Sequence, residues 1–377
     1  MRIFVNELKK LLFSPMLIVF IALCIGFNVL LSIGGAYYYD YSDYVAEASR
    51  TTGYKLGAEF EERITELEPG EMREWLLSET TGMTNVFDGY DTAYIAGAYI
   101  SRLGLSGYAA NAIRDKYAQL QKSVDAKAAA GEGMTLYFAS ATGYKHMDLH
   151  RNTMLFLLLE CGLLAALIML LSLGYEHLGR TSHIVYATKT GRKIMLHKLF
   201  ASLAAGLIAF AVLTALTLAV YFAFNDYGNI WGSSISSGFH LIDDMLAGTR
   251  PFVTWQSYTV LTYLLATLGI SALLTVCFGL IAFVIGMWLK NSYIGFLVFL
   301  IVNAGCIVFA LAVSGLPKYL AVLSPVWLWI KRVYWFTDGG ADILWKNFEM
   351  LGVSASLLML AVLCAVSAKL FRKRDIA

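Results

Sequence analysis

Residues 154–198 read MLFLLLECGLLAALIMLLSLGYEHLGRTSHIVYATKTGRKIMLHK. The first twenty are almost wholly apolar, enough to cross a hydrocarbon core of ~30 Å at ~1.5 Å per residue. The last twenty, 179–198, hold five cations (Arg180, Lys189, Arg192, Lys193 and Lys198) and no acid. A long apolar helix that runs into a basic connector reads as a membrane span with its connector in the cytoplasm, because short cytoplasmic loops concentrate Lys and Arg.

Comparable apolar runs recur on both sides of this stretch. Of 377 residues, 58% are hydrophobic and 15% charged, against about a quarter charged in a soluble domain. The expected fold class is an all-α polytopic membrane protein: six transmembrane helices, an N-terminal interfacial helix, and a helical extracellular domain between spans one and two. The expected spans are 15–35, 153–174, 199–224, 258–289, 293–313 and 349–370. Between them lie an interfacial helix over 1–14, the extracellular domain over 36–152, a cytoplasmic loop over 175–198 and an extracellular loop over 225–257. A re-entrant hairpin over 314–348 and a cytoplasmic tail over 371–377 complete the chain. The first apolar run, Leu11 to Ile33, is too long for a cleaved leader and is read as a span.

Charge places both termini in the cytoplasm of a multi-pass plasma-membrane protein. Arg2, Lys9, Lys10, the five connector cations, Lys290, Lys369, Arg372, Lys373 and Arg374 fall on one side. The short loops opposite hold only Arg250, Lys318, Lys331, Arg332 and Lys346. The 36–152 segment is exempt from this count because large domains translocate regardless of charge. It carries eleven cations and seventeen acids, a net of −6. Helical patterns are expected near 43–67, 71–79 and 90–128, the last with Tyr94, Ile95, Ala98 and Tyr99 on its apolar face. On this reading the segment is an added module, and a six-span core folds without it.

At 100° per residue, MRIFVNELKKLL (1–12) sets Phe4, Leu8, Leu11 and Leu12 opposite Arg2, Asn6, Lys9 and Lys10, and Ser14-Pro15 then breaks direction. Such a helix lies in the membrane interface. YYYDYSDY (37–44) and Trp231, Trp255, Trp327, Trp329, Trp335 and Trp345 are expected in the aromatic belt on the outer side. LPKYLAVLSPVWLWIKRVYWF (316–336) is too interrupted by Pro and charge to span.

All five cysteines lie in apolar runs, which leaves no disulfide framework and no paired-Cys metal site. His146 and His150 are four residues apart but lack a third ligand, so no metal is expected. GLSG (104–107) lies in the polar segment and reads as a helix break. Glu160 is the one acid deep in a span, and Asn303 is a weaker polar point in span five. Intramembrane acids are costly, and both residues are candidates for a translocation path or a dimer interface. No Gly-x-x-x-x-Gly-Lys-Ser/Thr loop occurs, so the chain is not expected to hydrolyse ATP or to be an enzyme. Nothing in it suggests nucleic-acid binding.

Taken in order, four features resemble the ABC-2 family, the type V-like permease subunits of ATP-binding-cassette exporters. They are ELKKLLFSP (7–15), a polar segment between spans one and two, YEHLGRTSHIVYATKTGRKIMLHK (175–198), and the broken Trp- and Pro-bearing hairpin before the last span. Arg180 stands where such permeases often have Thr directly after the Gly. The resemblance implies that the connector forms a coupling helix docked on an ATPase subunit. Glu176, His177, Arg180, Thr181, Ser182, His183, Tyr186 and Lys189 would be its contacts, and Lys193 and Lys198 its anchors on anionic lipid. It implies a partner ATPase dimer holding ATP and Mg, a second permease chain (identical or related) and a bacterial cell membrane. The size of the extracellular domain suggests a hydrophobic or peptide-like cargo, such as an antimicrobial peptide, with a drug or a lipid as the alternatives. The alternative is an ATPase-coupled sensor or mechanotransmitter whose extracellular domain binds a partner.

Overall fold

The computed structural model describes residues 2–36, 40–138, 145–181, 184–185, 187, 191–289 and 291–373. Six of its helices are long and apolar enough to cross a membrane: Pro15–Gly34, Leu149–Leu178, Ile194–Phe224, Val260–Trp288, Ser292–Ala312 and Phe348–Phe371. They are spans one to six below. The chain is a mostly helical, multi-pass membrane protein.

Span two is the axis of the bundle. Its most apolar stretch is 72% buried by the rest of the chain, against 22% for span one and 17% for span five. The axis is possible because small residues let neighbours approach. At Gly174 a Cβ would stand 2.0 Å from the Ser292 hydroxyl. That hydroxyl donates to the Leu170 carbonyl at 2.9 Å and fastens the first turn of span five to span two. Span five starts cleanly because the Asn291 side chain accepts from the Tyr293 and Ile294 amides at 2.9 and 3.3 Å. Span four starts on a capping box between Thr259 and Thr262.

The helix Arg2–Leu12 ends just before Ser14, and span one begins at Pro15, whose fixed φ suits a first helical turn. Span two opens with one π-helical turn, Leu149–Thr153. The Arg332 guanidinium donates to the Arg151 carbonyl of that turn.

The three segments on the far side of the bundle from the connector make one polar cap. The first contributes helices Asp40–Thr52, Ala58–Ile64, Glu71–Thr80, Ala93–Arg102 and Gly107–Ala129. These are shorter than the sequence periodicity suggests, because the chain turns at Gly53 and again at Gly104 and Gly107, all at positive φ. The buried face of Ala93–Arg102 is Ile95, Ala96 and Tyr99, while Tyr94 faces out. The second segment contains an antiparallel hairpin, Leu241–Asp244 with Gly248–Pro251, which pairs Leu241 with Pro251 and Asp244 with Gly248. This departs from an all-α chain. The third segment holds the short helices Leu316–Ala321 and Pro325–Ile330.

A buried ionic knot ties the three together. The Arg250 guanidinium contacts both Asp338 carboxylate oxygens at 3.2 and 3.0 Å, and Asp244 at 3.3 Å. Tyr117 donates to Asp338 and Tyr99 to Asp244. Lys116 donates to the carbonyls of Asp338, Gly340 and Ile343 at 3.0, 3.0 and 2.7 Å. Burial pulls the Lys116 pKa down to about 8. Burial works to raise the Asp338 pKa, but Arg250 and Lys116 outweigh it and hold the carboxyl below its usual range. The 40–138 segment is therefore interlocked with both later loops, where an independent module was expected. Trp255 and Trp335, expected in a membrane belt, are instead buried in the cap. Their indoles donate to the carbonyls of Thr337 and Leu328 at 2.6 and 3.1 Å.

Candidate functional site

Spans two and three both continue as helices past their apolar runs, to Leu178 and back to Ile194. Their polar ends therefore meet inside the protein. Lys198 and Glu176 are both buried, with Nζ 2.5 Å from Glu176 Oε2. Lys198 also donates to the Ser172 carbonyl. Glu7, on the N-terminal helix, places Oε2 3.8 Å from both Lys198 and Lys10. Lys10 lies 3.0 Å above the centre of the Tyr175 ring. Burial and the Lys198 charge lower the Lys10 pKa.

This is a neutral quartet of two acids and two bases drawn from three elements. Buried charges persist only when paired. The pairing therefore joins the feet of spans two and three to the N-terminal helix as one piece, at the root of the connector. Two expectations change here. Glu176 is committed to Lys198 and is not presented to a partner, and Lys198 is sealed from lipid.

Directly beyond the quartet, span two ends in a Schellman turn. Thr181 N–H donates to the Glu176 carbonyl at 2.9 Å, and Arg180 N–H to the His177 carbonyl at 3.2 Å. The left-handed position of this turn, usually Gly, is Arg180 with φ 53°. A non-Gly residue there costs ~1 kcal/mol or more. The turn exposes Arg180 and Thr181 and leaves His177 half-buried. Ser182, His183, Tyr186 and Lys189, the other expected contacts, lie outside the described residues.

Glu160 occupies a second polar point, midway along span two. Its Oε2 accepts from Asn28 Nδ2 of span one at 2.8 Å, and the same amide donates to Thr217 Oγ1 of span three at 3.0 Å. Glu160 and Asn28 are buried. The group thus ties span one to spans two and three, the two spans that the quartet joins to the N-terminal helix below. Asn303 does not join it: its amide returns to the Phe299 carbonyl of its own helix at 2.9 Å.

Sequence reasoning missed Asn28, Thr217 and Glu7 as partners. Asn28 alone left a signal, as an amide inside an otherwise apolar span. Among the described residues no group of His, Cys, Asp and Glu is placed to hold a metal ion. No family model, curated protein or solved structure matches the chain.

Proposed function

We propose that the chain is the membrane-spanning permease subunit of an ABC-2-type exporter, driven by a separate ATPase. Its N-terminal helix lies in the cytoplasmic interface, both termini are cytoplasmic, and the cap is extracellular. The cell is bacterial. One observation supports this most: the Glu7–Lys10–Glu176–Lys198 quartet stands at the root of the basic connector and binds the N-terminal helix to spans two and three. A push on the connector would move that sector as a unit. On this reading Arg180 and Thr181, exposed on the connector, meet the ATPase with Lys189, and Glu176 transmits from behind. A second permease chain completes the pathway, ATP and Mg stay on the ATPase, and the cargo is hydrophobic or peptide-like.

Affinity purification from native membranes in mild detergent is expected to recover a stoichiometric Walker-motif ATPase. Recovery of the chain alone would remove the proposal. Within the complex, replacing Arg180 and Lys189 together with Glu is expected to lower coupled transport at least about tenfold by like-for-opposite charge exchange at the contact. Insertion should be unchanged. Normal transport by that double variant would place docking elsewhere.

A further inference from the structure

On the cap, against the end of span three, lies a groove of about 480 Å³ lined by Tyr54, Lys55, Glu59, Phe60, Arg63 and Trp231, among others. Trp231 stacks on Tyr227 with ring centres 4.8 Å apart and meets Phe222 edge-on at 5.0 Å. Phe222 belongs to the last turn of span three, so Trp231 stands at the edge of the apolar slab. The Tyr54 ring lies across bare backbone at Gly232, where a Cβ would sit 2.7 Å from it. The two aromatic walls are thus fixed by packing.

The charge lining the groove differs from its surroundings. The stretch from Glu59 to Glu79 carries eight glutamates against Arg63 and Arg73. The groove's own exposed charges are Lys55, Arg63 and Glu59, two cations to one acid. Glu59 pairs with Arg63 at 2.6 Å, while Lys55 has no carboxylate partner among the described residues. A local cationic rim over aromatic walls suits a ligand with an anionic end and a weakly polar body. The side of span three that carries Phe222 runs on through the exposed Ala219 and Ala215, away from the groove along the helix.

We propose that this groove binds the phosphate headgroup of an anionic membrane lipid. Lys55 and Arg63 hold the phosphate, Tyr54 and Trp231 hold the glycerol, and the acyl chains lie along span three. The site does not depend on the transport reading.

Calorimetric titration of the full chain in neutral detergent tests it with short-chain phosphatidylglycerol, phosphatidylcholine of the same chain length, and glycerol 3-phosphate. Phosphatidylglycerol is expected to bind at least about tenfold tighter than either of the others. The doubly exposed variant Lys55→Gln with Arg63→Gln should erase that preference without shifting the thermal melt. Equal affinity for the two lipids, or an unchanged preference in the variant, would overturn the proposal. So would glycerol 3-phosphate binding as tightly as phosphatidylglycerol, which would put a soluble phosphate in the groove instead.

Discussion

His240 shows what a single ring does in the cap. It lies stacked between Tyr137 and Phe252, with ring centres 4.9 and 4.2 Å away, and its Nδ1 is 2.7 Å from the Ile235 carbonyl. That contact makes Nδ1 the protonated nitrogen of a neutral ring. Burial lowers the His240 pKa to about 4, against about 6.5 in an unfolded chain. The unfolded state therefore binds more protons between these values. Stability that is fully present above pH 6.5 is lost as pH falls towards 4. His240→Phe keeps the stack and removes the titration. It is expected to cost about 1 kcal/mol at pH 7.5 through the lost hydrogen bond, and to shrink the acid-side loss of thermal stability. Melts in detergent at pH 7.5, 5.5 and 4.5 check this. An unchanged acid limb would assign it to other groups.

At the scale of elements, the interest is in how helices end. The six spans were legible because each is a long, predominantly apolar run, which satisfies its own backbone in lipid as a helix. Their ends were not. Lys198 reads as a surface cation because it flanks the apolar run. The helix hydrogen bonds begin a turn earlier, at Ile194, and carry it inside to Glu176. Lys198→Met is expected to destabilise the protein by about 3–5 kcal/mol, because Glu176 is left buried and unpaired. Adding Glu176→Leu should recover most of that loss. A thermal-shift comparison of the two single variants and the double decides it. Additive losses would show that the pair does not act as a pair. Under the proposed transport function, a double variant that is stable but no longer couples ATP hydrolysis to transport would make the quartet's role mechanical.

For the whole molecule, the consequence of the ionic knot is shared fate. Lys116 and Asp338 are 222 positions apart, and lone charges in polar loops leave no periodic trace. Nothing in the sequence could therefore show that the cap is one body. The short hairpin at 241–251 was missed for a related reason: four-residue strands are too brief for alternation to register. Excision of 40–145 behind a short linker is expected to leave the 225–259 and 313–347 loops open to protease, since Arg250 and Asp338 lose Tyr99, Tyr117 and Lys116. Resistance of both loops in the extracted variant would show that the spans alone order them. The π turn at Leu149–Thr153 joins this rigid cap to the axial helix, and it acts as a phase setting. It accommodates one residue more than an α-helix would, and each α-helical residue turns the chain by about 100°. Removing a single residue there would let the turn relax to α. The rest of span two would keep its phase, because the wide turn already absorbs the extra residue, and Glu160 would stay within reach of Asn28. Keeping all five residues but forcing them into α-helix would instead turn everything below by about 100°, so the angular register between the two halves depends on this one turn staying wide.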